Sequence, residues 1–208
     1  MINFNPLSDG IFIHLWWMIP IAAVFFLANS LRNKKLVGRF TANFRAQCKL
    51  NAEIYHEINK LDVRSGSEHL QVDHVYISRH GIFVVNTPNQ QGLIWGDKKD
   101  GLWTQRYHKS ESQFPNPLRQ NQRYIEALSK QLSLPQQVFF SVAVFGKNCR
   151  FQTMMPDNVV ESFDFVEYVS QYEEILLSDE EVVQIRKTLE TNEFDVVFAK
   201  QSVGVYTL

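Results

Sequence analysis

The stretch LQVDHVYISRHGIFVV, residues 70–85, decides the fold. Residues 70–78 alternate: Leu70, Val72, His74 and Tyr76 lie on one face, and Gln71, Asp73, Val75 and Ile77 on the other. That is the two-residue period of a strand. Arg79-His80-Gly81 is a tight turn, and Ile82–Val85 is a second, wholly apolar strand. The two are expected to pair as a hairpin.

Upstream, residues 43–61 (NFRAQCKLNAEIYHEINKL) place Cys48, Leu50, Ile54, Ile58 and Leu61 at helix-like spacings and read as an amphipathic helix. Downstream, Leu93–Gly96 and Leu102–His108 read as short strands around a turn at Lys98–Gly101. Residues 117–132 form a helix opened by Pro117, where proline is tolerated, with Leu118, Tyr124, Leu128 and Leu132 inward. Val138–Phe145 is a buried strand and Asn158–Phe163 a weaker one. Phe165–Tyr172 and Ser178–Thr191 read as helices, the second opened by a Ser178/Glu181 capping box. Asp195–Ala199 and Val203–Tyr206 are closing strands or tail. The expected fold class is α/β, a mixed β-sheet flanked by helices.

The chain has 208 residues, a net charge of −1 and 45% hydrophobic residues. That excludes a disordered chain, and the charge balance argues against a generally sticky nucleic-acid binder. Two cysteines, Cys48 and Cys149, make neither a disulfide scaffold nor a cysteine-based zinc site. Charge is unevenly placed. Residues 32–156 carry 18 basic and 9 acidic side chains, whereas residues 157–195 carry 2 and 12.

Residues 11–28 (IFIHLWWMIPIAAVFFLA) carry no formal charge, which is the length of a minimal membrane span. Trp16 and Trp17 suit a membrane interface, and the basic residues Arg32, Lys34, Lys35 and Arg39 follow the span. The expected organisation is an extracytoplasmic N-terminus (1–10), a transmembrane anchor (11–31) and a basic juxtamembrane segment (32–40). A soluble domain (41–156) and its acidic extension (157–208) follow. The lipid bilayer is thus the first expected partner, with the domain at the cytoplasmic face of the inner membrane.

A series of blocks runs in order after Glu53: Gln71-Val72-Asp73-His74-Val75, Gly81-Ile82-Phe83-Val84-Val85, Gly92-Leu93-Ile94-Trp95-Gly96, Trp103-Thr104-Gln105 and Asn116-Pro117-Leu118-Arg119-Gln120. Together they resemble the nuclease-related domain (NERD) family, over roughly residues 45–146. The resemblance implies a fold like that of the PD-(D/E)xK restriction endonucleases, with Mg²⁺- or Mn²⁺-assisted phosphodiester hydrolysis. The implied catalytic positions are Glu53, Asp73 and Asn86, with Glu53 and Asp73 as metal ligands. The family's Glu-x-Lys is replaced here by Asn86 and Pro88. Asn86 brings no charge, and Pro88 has neither charge nor donor and ends a strand early. Glu57, Lys98 and Lys99 are the candidates for migrated replacements.

Three functions follow as expectations. The first is a membrane-tethered, catalytically degenerate module that binds DNA or RNA through Lys98, Lys99, Arg106, Lys109, Arg119 and Arg123. The second is an active nuclease with migrated site residues. The third is a membrane-associated scaffold whose acidic 157–195 region takes a basic protein partner.

Overall fold

The computed structural model describes residues 49–65 and 68–191. The hairpin forms as its alternation requires. Strand β2 (Glu68–Ser78) pairs antiparallel with β3 (Gly81–Asn86), with His74 opposite Val85 and Ser78 opposite Gly81. Gly81 turns the chain at φ +125°, and a Cβ there would lie 2.5 Å from the Phe140 ring and 2.8 Å from the Val138 carbonyl. Only glycine fits such a turn.

Strand β1 (His56–Ser65) pairs antiparallel with β2 and replaces part of the expected helix over residues 43–61. Residues 51–54 form a turn closed by Ile54 N and Tyr55 N on the Asn51 carbonyl, and residues 43–48 lie outside the described residues. The reason for the correction lies in a break of the pleat. Ile58 and Leu61, three apart, both join one core, as do Val72 and Val75 on β2. Lys60, at φ +53°, marks the break, and neither Lys60 nor Asp73 opposite it is in the paired register. The kink reproduces a helix-like spacing within a strand, and pairing with β2 then overrides local propensity.

The chain next builds β4 (Gly92–Trp95), β5 (Leu102–Tyr107) and β6 (Ser110–Pro115). Helix α1 (Pro117–Leu132) and β7 (Phe139–Phe145) follow, then β8 (Cys149–Phe151), β9 (Val159–Glu161), α2 (Phe165–Ser170) and α3 (Asp179–Thr191). Among the described residues the strands form two mixed sheets rather than one. The first has the order β1-β2-β3-β7-β9 and the second β6-β5-β4-β8. Strand β6 (SESQFP) was not expected, since it lacks both apolar alternation and β-branched residues. Strands β3 and β7 are parallel, so the small sheet's three leading strands and α1 form the crossover between them.

Helices cover both faces of the larger sheet. On one face Val75, Ile77, Ile82 and Val84 pack with Ile125, Leu128 and Leu132 of α1 and Val182, Ile185 and Leu189 of α3. On the other face Tyr76, Phe83 and Val85 meet Leu50, Tyr55 and the α2 residues Phe165 and Val169. A third core holds Ile94, Trp103 and Phe114 of the small sheet against Leu118 and Phe145. Gly96 lets the Trp103 ring pass, since a Cβ would meet it at 2.4 Å. The Ser178/Glu181 capping box is present, with Ser178 N to Glu181 Oε2 at 2.8 Å and Glu181 N to Ser178 Oγ at 3.2 Å.

No helix among the described residues is long and apolar enough to cross a membrane. The expected N-terminus (1–10), anchor (11–31) and basic segment (32–40) lie outside those residues, as do the expected elements at 195–199 and 203–206.

Candidate functional site

Strand β3 stops at Asn86, two residues before Pro88, and Pro88 is buried. Asp73 lies beside this strand end, one step past the His74–Val85 pair. Its Oδ2 accepts from Thr87 N at 3.0 Å and from Thr87 Oγ1 at 3.1 Å. Asn86 is buried and donates from Nδ2 to Gln120 Oε1 of α1 at 3.1 Å. Tyr124, one helical turn further along α1, has its hydroxyl pKa raised by burial and then by the nearby Asp73 charge, against a smaller lowering from Arg123. The crossover thus lays Gln120 and Tyr124 over the end of the hairpin.

Asp73 and Asn86 therefore share one end of the hairpin, and Glu53 does not join them. Glu53 is exposed in the 51–54 turn, ahead of His56, which pairs with Ile77. Asp73 is four residues from Ile77 along β2, a separation of about 13 Å at ~3.3 Å per residue. Glu57 lies on a strand rather than one helical turn from Glu53, and its carboxylate serves the opposite sheet face. There His74 Nδ1 is 2.9 Å from Glu57 Oε1, and Tyr76 donates to the same oxygen at 3.1 Å. The His74 and Tyr76 rings stack at 6.4 Å, and Glu57 and Tyr76 border a cleft of about 360 Å³.

These residues do not fit a divalent cation. Among the described residues no three His, Cys, Asp or Glu side chains converge in a metal-holding group. At the hairpin end the donor set is one carboxylate, half engaged by Thr87, and one amide engaged by Gln120. Mg²⁺ asks for near-octahedral oxygen ligands with charge among them. No reaction step through a metal is therefore assigned.

The six basic candidates divide into separate groups. Lys98 and Lys99 lie on the β4–β5 turn, and Arg119 donates to the Lys99 carbonyl. Arg106 sits toward the far end of β5, bonded to Glu111 Oε2 through Nε at 3.1 Å and Nη2 at 2.8 Å, with Lys109 in the next turn. Arg123 is paired with Glu68.

Two asparagines show how the sequence builds this region. Asn116 is fully buried and caps α1, its Oδ1 accepting from Leu118 N at 2.9 Å. Its Nδ2 faces the carbonyls of Asp97, Lys98 and Asp100 at 3.2, 3.3 and 2.8 Å, which locks the Lys98–Lys99 turn to the helix start. Asn121, also fully buried, donates to the Val84 and Val142 carbonyls at 3.0 and 2.9 Å and so ties α1 to β3 and β7. Asn121 was missed, although it sits in the buried 118-121-125-128-132 stripe, where a polar residue is itself the signal. The Thr87 and Gln120 contacts have no such signal, because their partners are 14 and 34 residues away.

Cys149 is free and buried, donates to the Gln90 carbonyl at 2.9 Å, and has its pKa pushed up to about 12, by burial first and then by Glu161. That describes a packing residue rather than a nucleophile.

The region is thus a mixed α/β module, with an acid at the open end of a hairpin and a crossover helix, opened by Asn116-Pro117, over that end. The profile of the nuclease-related domain (NERD) family matches residues 34–146, more than half of the chain, and the chain belongs to that family. It is similar to a Bacillus anthracis protein described as uncharacterized, at 30% identity over 161 residues, covering 75% of this chain and 73% of the relative. No solved structure matches.

Proposed function

We propose that this chain is a nucleic-acid-holding member of the family, tethered to a membrane through residues 11–31, whose hairpin end does not hydrolyse phosphodiesters. The observation that carries this reading is the state of the hairpin end. Asp73 is committed to Thr87, Asn86 to Gln120, and Pro88 is buried where the family resemblance calls for lysine. Metal-assisted hydrolysis needs acidic ligands that converge on the cation. One half-engaged carboxylate beside a neutral amide pair does not supply such a set, whereas phosphate binding asks only for cations on the surface. Arg119 and the Asn116-clamped Lys98–Lys99 turn supply them close to α1.

The test uses the full chain in detergent, incubated with single- and double-stranded DNA and RNA plus Mg²⁺ or Mn²⁺, alongside Asp73→Ala. Salt-sensitive binding without cleavage is expected. Metal-dependent cleavage that Asp73→Ala abolishes would refute the reading, and so would failure to bind any nucleic acid. A second reading draws on the acidic 157–195 region, where Phe163 and Ile175 are each 59% exposed among carboxylates. A basic protein partner would dock there.

A further inference from the structure

Among the described residues, the outward face of the small sheet carries only exposed or half-buried side chains. Its inward side chains, Ile94, Trp103, Phe114 and Phe151, are packed in the third core. Alternation then turns Leu93 and Trp95 of β4, Leu102, Thr104 and Arg106 of β5, and Arg150 of β8 to the other side. Trp95 is half-buried on that face, and the Arg106 guanidinium lies over its ring at 5.2 Å. Glu111, from β6, holds Arg106 there through Nε and Nη2.

Beside Trp95 runs a groove of about 340 Å³, lined by Trp95, Gly96, Thr104, Leu102 and Met154. Leu102 is 52% exposed and Met154 is 94% exposed, large apolar groups held in water. Thr153 fixes the Met154 side of the groove, because its hydroxyl accepts from Gly96 N at 3.1 Å and donates to Gly96 O at 2.7 Å. Asp97 and Asp100 also line it.

We propose that this face binds single-stranded nucleic acid, with a base in the groove against Trp95 between Leu102 and Met154, and with phosphates on Arg106 and Arg150. The inference rests on the nucleic-acid reading above and deepens it by naming the strand type and the platform. Charge selects this occupant over an apolar peptide. The turns that border the sheet add cations to the two on its face: Lys98, Lys99, Lys109 and Lys147 join Arg106 and Arg150 against Asp97, Asp100 and Glu111, six minus three, a net of +3 over the sheet and its turns in a chain of net −1. The Asp97 and Asp100 carboxylates disfavour a phosphate beside them and favour an N–H donor on a base edge, such as the N3–H of thymine or uracil. Single strands are held by such a combination of stacking surface and basic flank, and a four-stranded sheet with exposed aromatics is a known geometry for it. A duplex keeps its bases stacked inside and offers none to the groove.

The test is fluorescence polarisation of the full chain in detergent with labelled 20-nucleotide oligo(dT) and oligo(rU), competed by unlabelled duplex of the same length, at low and moderate salt. Wild type is expected to prefer the single strands. Trp95→Ala and the exposed-site variant Met154→Ser are each expected to weaken binding, Trp95→Ala by roughly tenfold. Trp95→Phe should recover most of it, and Arg106→Ala should weaken binding and flatten its salt dependence. Single-strand binding that survives both Trp95→Ala and Met154→Ser, or duplex competing equally well, overturns this inference and leaves the broader reading standing. Absence of any nucleic-acid binding by wild type overturns both.

Discussion

Asn116→Ala tests how the helix start controls the turn that carries Lys98 and Lys99. The side chain is fully buried and makes one accepted and three donated contacts. An amide NH₂ has two protons, so the three carbonyls share two hydrogen bonds' worth of donation. Losing the N-cap costs about 1 kcal/mol. Losing two hydrogen bonds to carbonyls at this buried site costs about 1 kcal/mol each. The expected total is ~3 kcal/mol. For a folded region of this size ~1 kcal/mol corresponds to about 2–4 °C in Tm, so Tm should fall by roughly 6–12 °C. Asn116→Ser keeps an oxygen for Leu118 N and loses the amide NH₂ that reaches the three carbonyls, so it should recover about 1 kcal/mol of the loss. The assay is thermal denaturation of full chain in detergent, read by near-ultraviolet circular dichroism. Trp103, whose Nε1 donates to the Asp97 carbonyl at 2.9 Å, reports on the same turn. Wild-type, Asn116→Ser and Asn116→Ala proteins melting together within about 1 °C would refute the clamp.

Three further outcomes are expected, one at Asp73 and two at Cys149. Asp73→Ala removes the acceptor of both Thr87 bonds and should destabilise by about 2 kcal/mol, in the range for hydrogen bonds to a charged group. Asp73→Asn keeps an acceptor oxygen and should cost under about 1 kcal/mol, so equal urea midpoints for Asp73→Ala and wild type would show that the carboxylate does not hold the strand end. For Cys149, the folded pKa of about 12 stands above the ordinary value of 9.0. Below pH 9 the thiol is protonated in both states. As pH climbs from about 9 towards 12, the unfolded chain ionises first, so the thiol's contribution to stability is lost across that window, by at most ~1.4 kcal/mol per pH unit. Mass spectrometry after iodoacetamide treatment at pH 8 should find Cys149 unmodified until denaturant is added, and rapid labelling of the folded protein would contradict its burial.

Much of the larger sheet is legible because its signals are local. The alternation of residues 70–78, the Gly81 turn and the Pro117 start of α1 each depend on neighbours within a few residues. The same locality misleads at residues 56–61, where the kink at Lys60 gives a strand the apolar spacing of a helix turn. Strand β6 carries too little apolar pattern to be read at all, and its existence depends on β5 as partner.

The candidate site divides along the same line. The sequence alone determined the family and set an acid at Asp73 and uncharged residues at Asn86 and Pro88, because side-chain identity is a property of single positions. Tertiary structure alone decided what those residues do. It bound Asp73 to Thr87 and Asn86 to Gln120, left Glu53 at the other end of the hairpin, and divided the basic residues among the β4–β5 turn, the far end of β5 and the Glu68 side of α1. Among the described residues it also left the small sheet's outward side chains exposed or half-buried and set Trp95, Leu102 and Met154 around one groove. Partners 14 and 34 residues apart are chosen by strand register and helix crossing, and neither leaves a periodicity in the sequence.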